Sequence, residues 1–252
     1  MRRVSRHGLI KRLQEELPRG APFDMAALRQ LGISDQIASR YVKEGWLVRV
    51  GHGIYAFPKD ELTPHGMVKL LQSRVEGLHL GGKSALALQG VRHNLSTREQ
   101  LVLWGDARCE LPQWFTSRQP ARYVAVKLFE WTDEKLPMLT LTTPPGEAEG
   151  LLVSTPERGA IEMLYDVGKN ESLEEARNIF EGLGTLRKDV TGQLLSCCTS
   201  VKAVRLFLSW ARETQILDVD VLREMYPLRV GSSQRWMHRL KDGTLLSLKP
   251  YG

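Results

Sequence analysis

Across residues 33–58, ISDQIASRYVKEGWLVRVGHGIYAFP, the apolar positions recur first with the period of a helix and then in short strand-like runs. Ile37, Ala38, Tyr41 and Val42 form one stripe at i, i+1, i+4 and i+5, while Gln36, Ser39, Arg40 and Lys43 occupy the opposite side. Ser34 is a good N-cap, Asp35 adds negative charge to the first turn, and Gly45 stands where a left-handed stop belongs. The spacing therefore predicts a helix over 35–44. Residues 24–32, DMAALRQLG, carry their own cap, an Ala/Leu body and a terminal glycine, which predicts a second short helix separated from the first by a tight turn at Gly32 and Ile33. Residues 46–50 and 54–57 are apolar runs joined by Gly51-His52-Gly53, whose glycines supply the positive φ that a tight hairpin needs. Helix, helix, hairpin is the order of a winged helix-turn-helix.

The remaining pattern divides into a helical start, a β-rich middle and a helical end. Leu9, Ile10, Leu13 and Leu17 predict a first helix over 1–17, broken between Pro18 and Pro22. Thr63-Pro64 opens another through about residue 76, with Met67, Leu70, Leu71 and Val75 inward. Strands are predicted over 100–104, 122–129 and 138–142, with a shorter one over 151–153, separated by loops holding Pro112, Pro120, Pro137 and Pro144-Pro145-Gly146. Trp114, Phe115, Tyr123 and Trp131 are assigned to the core or its rim, the alternative for some of them being a partner surface, where aromatics are enriched. Thr155-Pro156-Glu157 and the capping box at Ser172 begin two helices, followed by helices over 186–198, 201–214 and 220–226. A hairpin over 236–240 and 244–248 surrounds Lys241-Asp242-Gly243. The expected class is α+β: an N-terminal winged helix-turn-helix domain over 1–62, connecting helices over 63–95, and a larger α+β domain over 96–252 with an antiparallel-type sheet and then helices.

Charge sharpens this division. The chain carries a formal net charge of +6, and residues 1–59 hold eleven Lys/Arg against five Asp/Glu, so the whole excess lies beside the helix-turn-helix. A basic module on a neutral body is the electrostatic footprint of nucleic-acid binding. Arg2, Arg3, Arg6, Lys11 and Arg12 of the first helix are further phosphate candidates, though a basic helix start is as often simply solvated. No run resembles a signal peptide or an apolar span of about 18 residues, which makes the cytoplasm the expected compartment and a membrane partner unexpected. Cys109, Cys197 and Cys198 have neither disulfide-framework nor zinc spacing and are read as small core residues.

One segment imitates a nucleotide site. Residues 77–84, GLHLGGKS, satisfy the phosphate-loop pattern through Gly77, Gly82, Lys83 and Ser84. The preceding residues have helix periodicity, and Leu78, His79 and Leu80 are bulky where a loop wrapping phosphate favours small side chains. The plainer reading is a short strand over 78–80, a glycine turn, and a packed helix over 83–89 ending at Gly90. The six histidines are scattered, no nucleophile elbow or HExxH occurs, and the pairs Glu147/Glu149 and Glu174/Glu175 read as solvated or helix-start charge. No catalytic set, cofactor site or metal site is expected, and an enzyme is the less favoured class.

SRYVKEGWL, the GxGIYAFP wing, GGKSALALQG and TPERGAIEMLYDV, in that order, resemble the AbiEi family, the antitoxin and transcriptional regulator of AbiE (type IV) abortive-infection toxin–antitoxin systems. The resemblance spans nearly the whole chain. It implies a bacterial repressor that binds inverted repeats in its own operon and counteracts a cognate nucleotidyltransferase-like toxin, with the antitoxin role in the C-terminal domain. The family's Ser-Arg-Tyr-Val-Lys helix falls on Ser39, Arg40, Tyr41, Val42 and Lys43, and His52 stands where arginine is expected in many members.

The leading expectation is a repressor–antitoxin. Gln36, Ser39 and Arg40 would reach base edges of double-stranded DNA, and Lys43, Arg49 and His52 would hold the flanking phosphates, with two copies on an inverted-repeat operator. The alternatives are a nucleotide-binding enzyme using GLHLGGKS and a ligand-sensing winged-helix regulator without a toxin partner.

Overall fold

The computed structural model describes residues 6–92, 100–147, 150–184, 186–239, 243 and 245–248. Residues 1–5 of the first expected helix, Arg2 and Arg3 among them, lie outside these, as do Glu149 and residues 240–242 and 244 of the expected terminal hairpin. The chain divides into two compact units. The first comprises Met1–Val75, Leu111–Gln119 and Glu147–Leu151; the second comprises Glu76–Glu110, Pro120–Gly146 and Leu152–Gly252.

In the first unit, local signals place each element. Helix α1 (Arg6–Glu16) is followed by a two-residue strand, β1 (Phe23–Asp24), and by α2 (Met25–Gln30), whose N-cap Asp24 accepts the Ala27 N–H at 3.0 Å. Helix α3 (Asp35–Lys43) starts where the Ser34 hydroxyl accepts the Ile37 N–H and ends before Gly45, whose φ of +77° is open to glycine at no steric cost. Ala38 and Tyr41, from its apolar stripe, are fully buried against Leu13, Leu28, Ile33, Leu47 and Phe57. The wing strands β2 (Val48–Gly51) and β3 (Ile54–Ala56) pair antiparallel with a bulge between Arg49 and Gly51. β1 adds to the other edge of β3 through Phe23 opposite Tyr55, making a three-stranded sheet. This third strand is too short to leave a period in the sequence. Thr63 caps α4 (Pro64–Gln72) by accepting the Gly66 N–H at 3.0 Å.

The second unit is built on a five-stranded sheet. Its first elements are β4 (His79–Leu80), α5 (Gly82–Leu88) and β5 (Leu101–Gly105). After α6 (Gln113–Thr116), a helix absent from the sequence reading that belongs to the first unit, come β6 (Ala121–Ala125), α7 (Leu136–Leu139), β7 (Leu141–Thr142) and β8 (Val153–Ser154). The order is β6-β5-β4-β8-β7, with β5/β6 and β4/β8 parallel and β4/β5 and β7/β8 antiparallel. The sheet is thus mixed: antiparallel neighbours alternate with parallel ones that close over long sequence separations. Met138 and Leu139, expected in a strand, lie in α7, because Pro137 suits the first turn of a helix and the Thr140 hydroxyl bonds back to the Leu136 carbonyl at 2.9 Å.

Helix α8 (Pro156–Asp166) is buried nearly all round, the state of a helix enclosed by other elements. Around its unit lie α9 (Leu173–Glu181), α10 (Lys188–Cys197), α11 (Val201–Thr214) and α12 (Val219–Met225), then the hairpin β9 (Trp236–Arg239) and β10 (Leu245–Leu248). Phe180 meets Phe207 and Trp210 edge to face at 5.3 and 5.5 Å in this core. Two cations of α11 point inward. Lys202 donates to the carbonyls of Tyr165 and Val167 at 2.6 Å each, and burial together with nearby Lys169 brings its pKa down to about 8. Arg205, 1% exposed, donates to the carbonyls of Val230, Ser232 and Gln234. Cys197 and Cys198 are core residues as expected, whereas Cys109 is only half-buried, in the loop after β5.

Candidate nucleic-acid interface

The outward side of α3 is a shallow trough lined by Asp35, Gln36, Ser39, Arg40 and Lys43. The four polar residues at helical spacing are all exposed, since the opposite stripe fixes the helix in the core and leaves them no alternative. Asp35 was expected to serve only the helix start. It also stands at the rim of this face, where Arg29 of α2 grips its carboxylate at 2.9 and 3.2 Å and holds its pKa below the ordinary value. No local signal in the sequence marks Arg29, because the pair joins two helices across the turn.

On the wing, Arg49 and His52 are exposed, and the Arg49 guanidinium lies 5.8 Å from the Tyr55 ring centre. Gly53 has the positive φ, +66°, that the hairpin requires. Gly51 has a different reason to be glycine: a Cβ there would lie 2.9 Å from the Trp114 side chain.

Ion pairing separates the basic residues of this unit into two groups. Lys11 and Arg12 reach Glu15 and Glu16 at i+4, Arg19 pairs with Asp60, and Arg74 with Asp24. Lys11 and Arg12 are thus exposed and paired along their own helix. Arg40, Lys43 and Arg49 have no carboxylate partner among the described residues. Lys59 and Arg118 of the same unit are likewise exposed without a carboxylate partner among the described residues, so the helix face and the wing, the two places where a DNA-binding winged helix meets its duplex, hold three of these cations.

The two donors of GLHLGGKS most needed for a phosphate, the Gly82 amide and the Lys83 ammonium, are occupied. Gly82 N–H is bound by Glu162 Oε2 at 3.0 Å, and Lys83 Nζ lies 3.1 Å from both Glu171 and Glu175. Although full burial opposes ionisation, His79 at 2.9 Å and Arg158 at 2.8 Å, with the Ser154 hydroxyl at 2.7 Å, hold Glu162 at a pKa of about 2. Glu175 was read as helix-start charge; it also binds Lys83. No group of three or more His, Cys, Asp or Glu capable of holding a metal ion occurs among the described residues. No helix among them is long and apolar enough to cross a membrane.

In fold, the chain is similar to the crystal structure of the RV2827C protein from Mycobacterium tuberculosis, with a TM-score of 0.57 and 17% identity over 94% of this chain and 90% of that one. No curated protein matches it in sequence. Residues 6–97 match the family model for the transcriptional regulator, AbiEi antitoxin N-terminal domain, and residues 98–249 match that for the transcriptional regulator, AbiEi antitoxin, type IV toxin–antitoxin system. With both models matched in order along almost its whole length, the chain belongs to the AbiEi family of antitoxin transcriptional regulators.

Proposed function

We propose that the protein represses its own toxin–antitoxin operon by laying α3 in the major groove of inverted repeats, and that it counteracts a nucleotidyltransferase-like toxin. Gln36, Ser39 and Arg40 contact base edges; Lys43, Arg49 and His52 hold phosphates on either side. Residues 1–62 read DNA, 63–95 connect, and 96–252 carry the antitoxin role. The observation that supports this reading is the coincidence, on one helix face and its wing, of exposed donors with cations that lack carboxylate partners among the described residues. Two copies bind each operator, one per half-site, since a single recognition helix covers only one turn of duplex.

The test is binding of the full chain to the promoter region of its own gene. Arg40→Ala should weaken binding by about 1–3 kcal/mol, the cost of one bidentate base contact, and more on the operator than on a scrambled duplex. Unchanged affinity would remove α3 as the reading helix. For the antitoxin role, co-expression with the adjacent toxin gene should restore growth, and failure of the full chain to do so would refute it.

A further inference from the structure

A second trough lies beside the wing tip, lined by Gly51, His52, Gln113, Trp114, Ser117 and Arg118, among others. Residues 111–119 fall in the part of the sequence matched by the C-terminal family model, yet they pack in the first compact unit. The packing is tight: α6 sets the buried Trp114 against Gly51, where any side chain would collide, so wing and α6 have a fixed register. Across this junction Arg118 and His52 line the same trough, and no carboxylate lines it. One nitrogen of the Arg118 guanidinium is held by the Trp114 carbonyl at 2.8 Å. This leaves its other N–H groups exposed, oriented by the helix and unmatched by any carboxylate among the described residues.

We propose that α6 with Ser117 and Arg118 forms a second phosphate-holding edge of the wing, in which Arg118 binds a phosphate of the same duplex and Gln113 and Ser117 add neutral donors. This rests on the DNA-reading proposal above and extends it to residues outside the N-terminal match. DNA backbone is the occupant because Arg118 is the cation of a lining that holds no carboxylate, and because that lining, which also includes Val50, Pro112 and Trp114, takes in His52 at the wing tip beside the polar Gln113 and Ser117. A planar guanidinium on a fixed carbonyl is arranged for two-pronged phosphate binding rather than for a mobile surface charge.

The experiment uses the full chain and fluorescence anisotropy on its promoter duplex and on a scrambled duplex of equal length, across a salt series. Arg118→Ala should weaken both by a similar factor and lower the slope of log affinity against log salt by about 0.9 per bound copy, the value for one lost phosphate contact. Arg118→Lys should restore most of the slope. Wild-type affinity and slope in Arg118→Ala, while Arg40→Ala loses operator binding, would overturn this inference and leave the reading helix standing. If the unaltered chain binds neither duplex, the DNA-reading proposal falls and this one with it.

Discussion

Glu162 Oε2 accepts the backbone N–H of Gly82 at 3.0 Å, so a protein carboxylate occupies the place where a phosphate loop would hold a phosphate oxygen. Lys83, the residue that would follow the phosphates, is drawn instead to Glu171 and Glu175. Titration with magnesium and ATP should therefore release no binding heat, and Lys83→Ala should lower thermal stability while changing nothing in that titration. A saturable heat abolished by Lys83→Ala would show that nucleotide displaces the carboxylate.

The same carboxylate makes stability depend on acid. Glu162 has a folded pKa of about 2 against an ordinary value of 4.5. A carboxyl depressed on folding contributes stability that is complete above the higher value and is lost as pH falls toward the lower one. Glu162→Gln, which leaves the buried Arg158 without its counter-charge, should cost about 3–5 kcal/mol near neutral pH. Urea unfolding should show the gap between variant and parent narrowing between pH 4.5 and pH 2. A constant gap across that window would assign the loss to packing alone.

Gly51→Ala tests the junction of wing and α6. With the new methyl 2.9 Å from Trp114, the variant should lose about 1–3 kcal/mol, the usual cost of overpacking. Trp114→Leu in the same chain should recover part of that loss, so that the two changes together cost less than their sum in a thermal-melt cycle. Strict additivity would show that the two residues do not press on one another.

How much of this was legible in the sequence depended on the range of the interaction. Caps at Asp24, Ser34 and Thr63, the two faces of α3 and the glycine stops act within a few residues, and each could be read from spacing alone. The antitoxin class of the chain came from the order of four short motifs rather than from any single one. Contacts closed over long separations left no such mark. β1 is two residues long, α6 is four, and the parallel pairing of β4 with β8 joins Leu80 to Val153. Asp35 could be seen as helix-start charge, but its grip by Arg29 depended on how two helices meet. His79 and Glu162 stand 83 residues apart, and nothing local announced that they pair.

Arg205 gives the segment between α12 and β9 a weight that its small size hides. The carbonyls of residues 230, 232 and 234 serve as a counter-charge assembled entirely from backbone dipoles, closing over a guanidinium that is otherwise sealed in the core. A cut ahead of residue 230 would remove more than a peripheral ribbon, because it would strip the solvation from a cation in the interior. Residues 230–234 therefore act as a keystone of the second unit rather than as a loose connection.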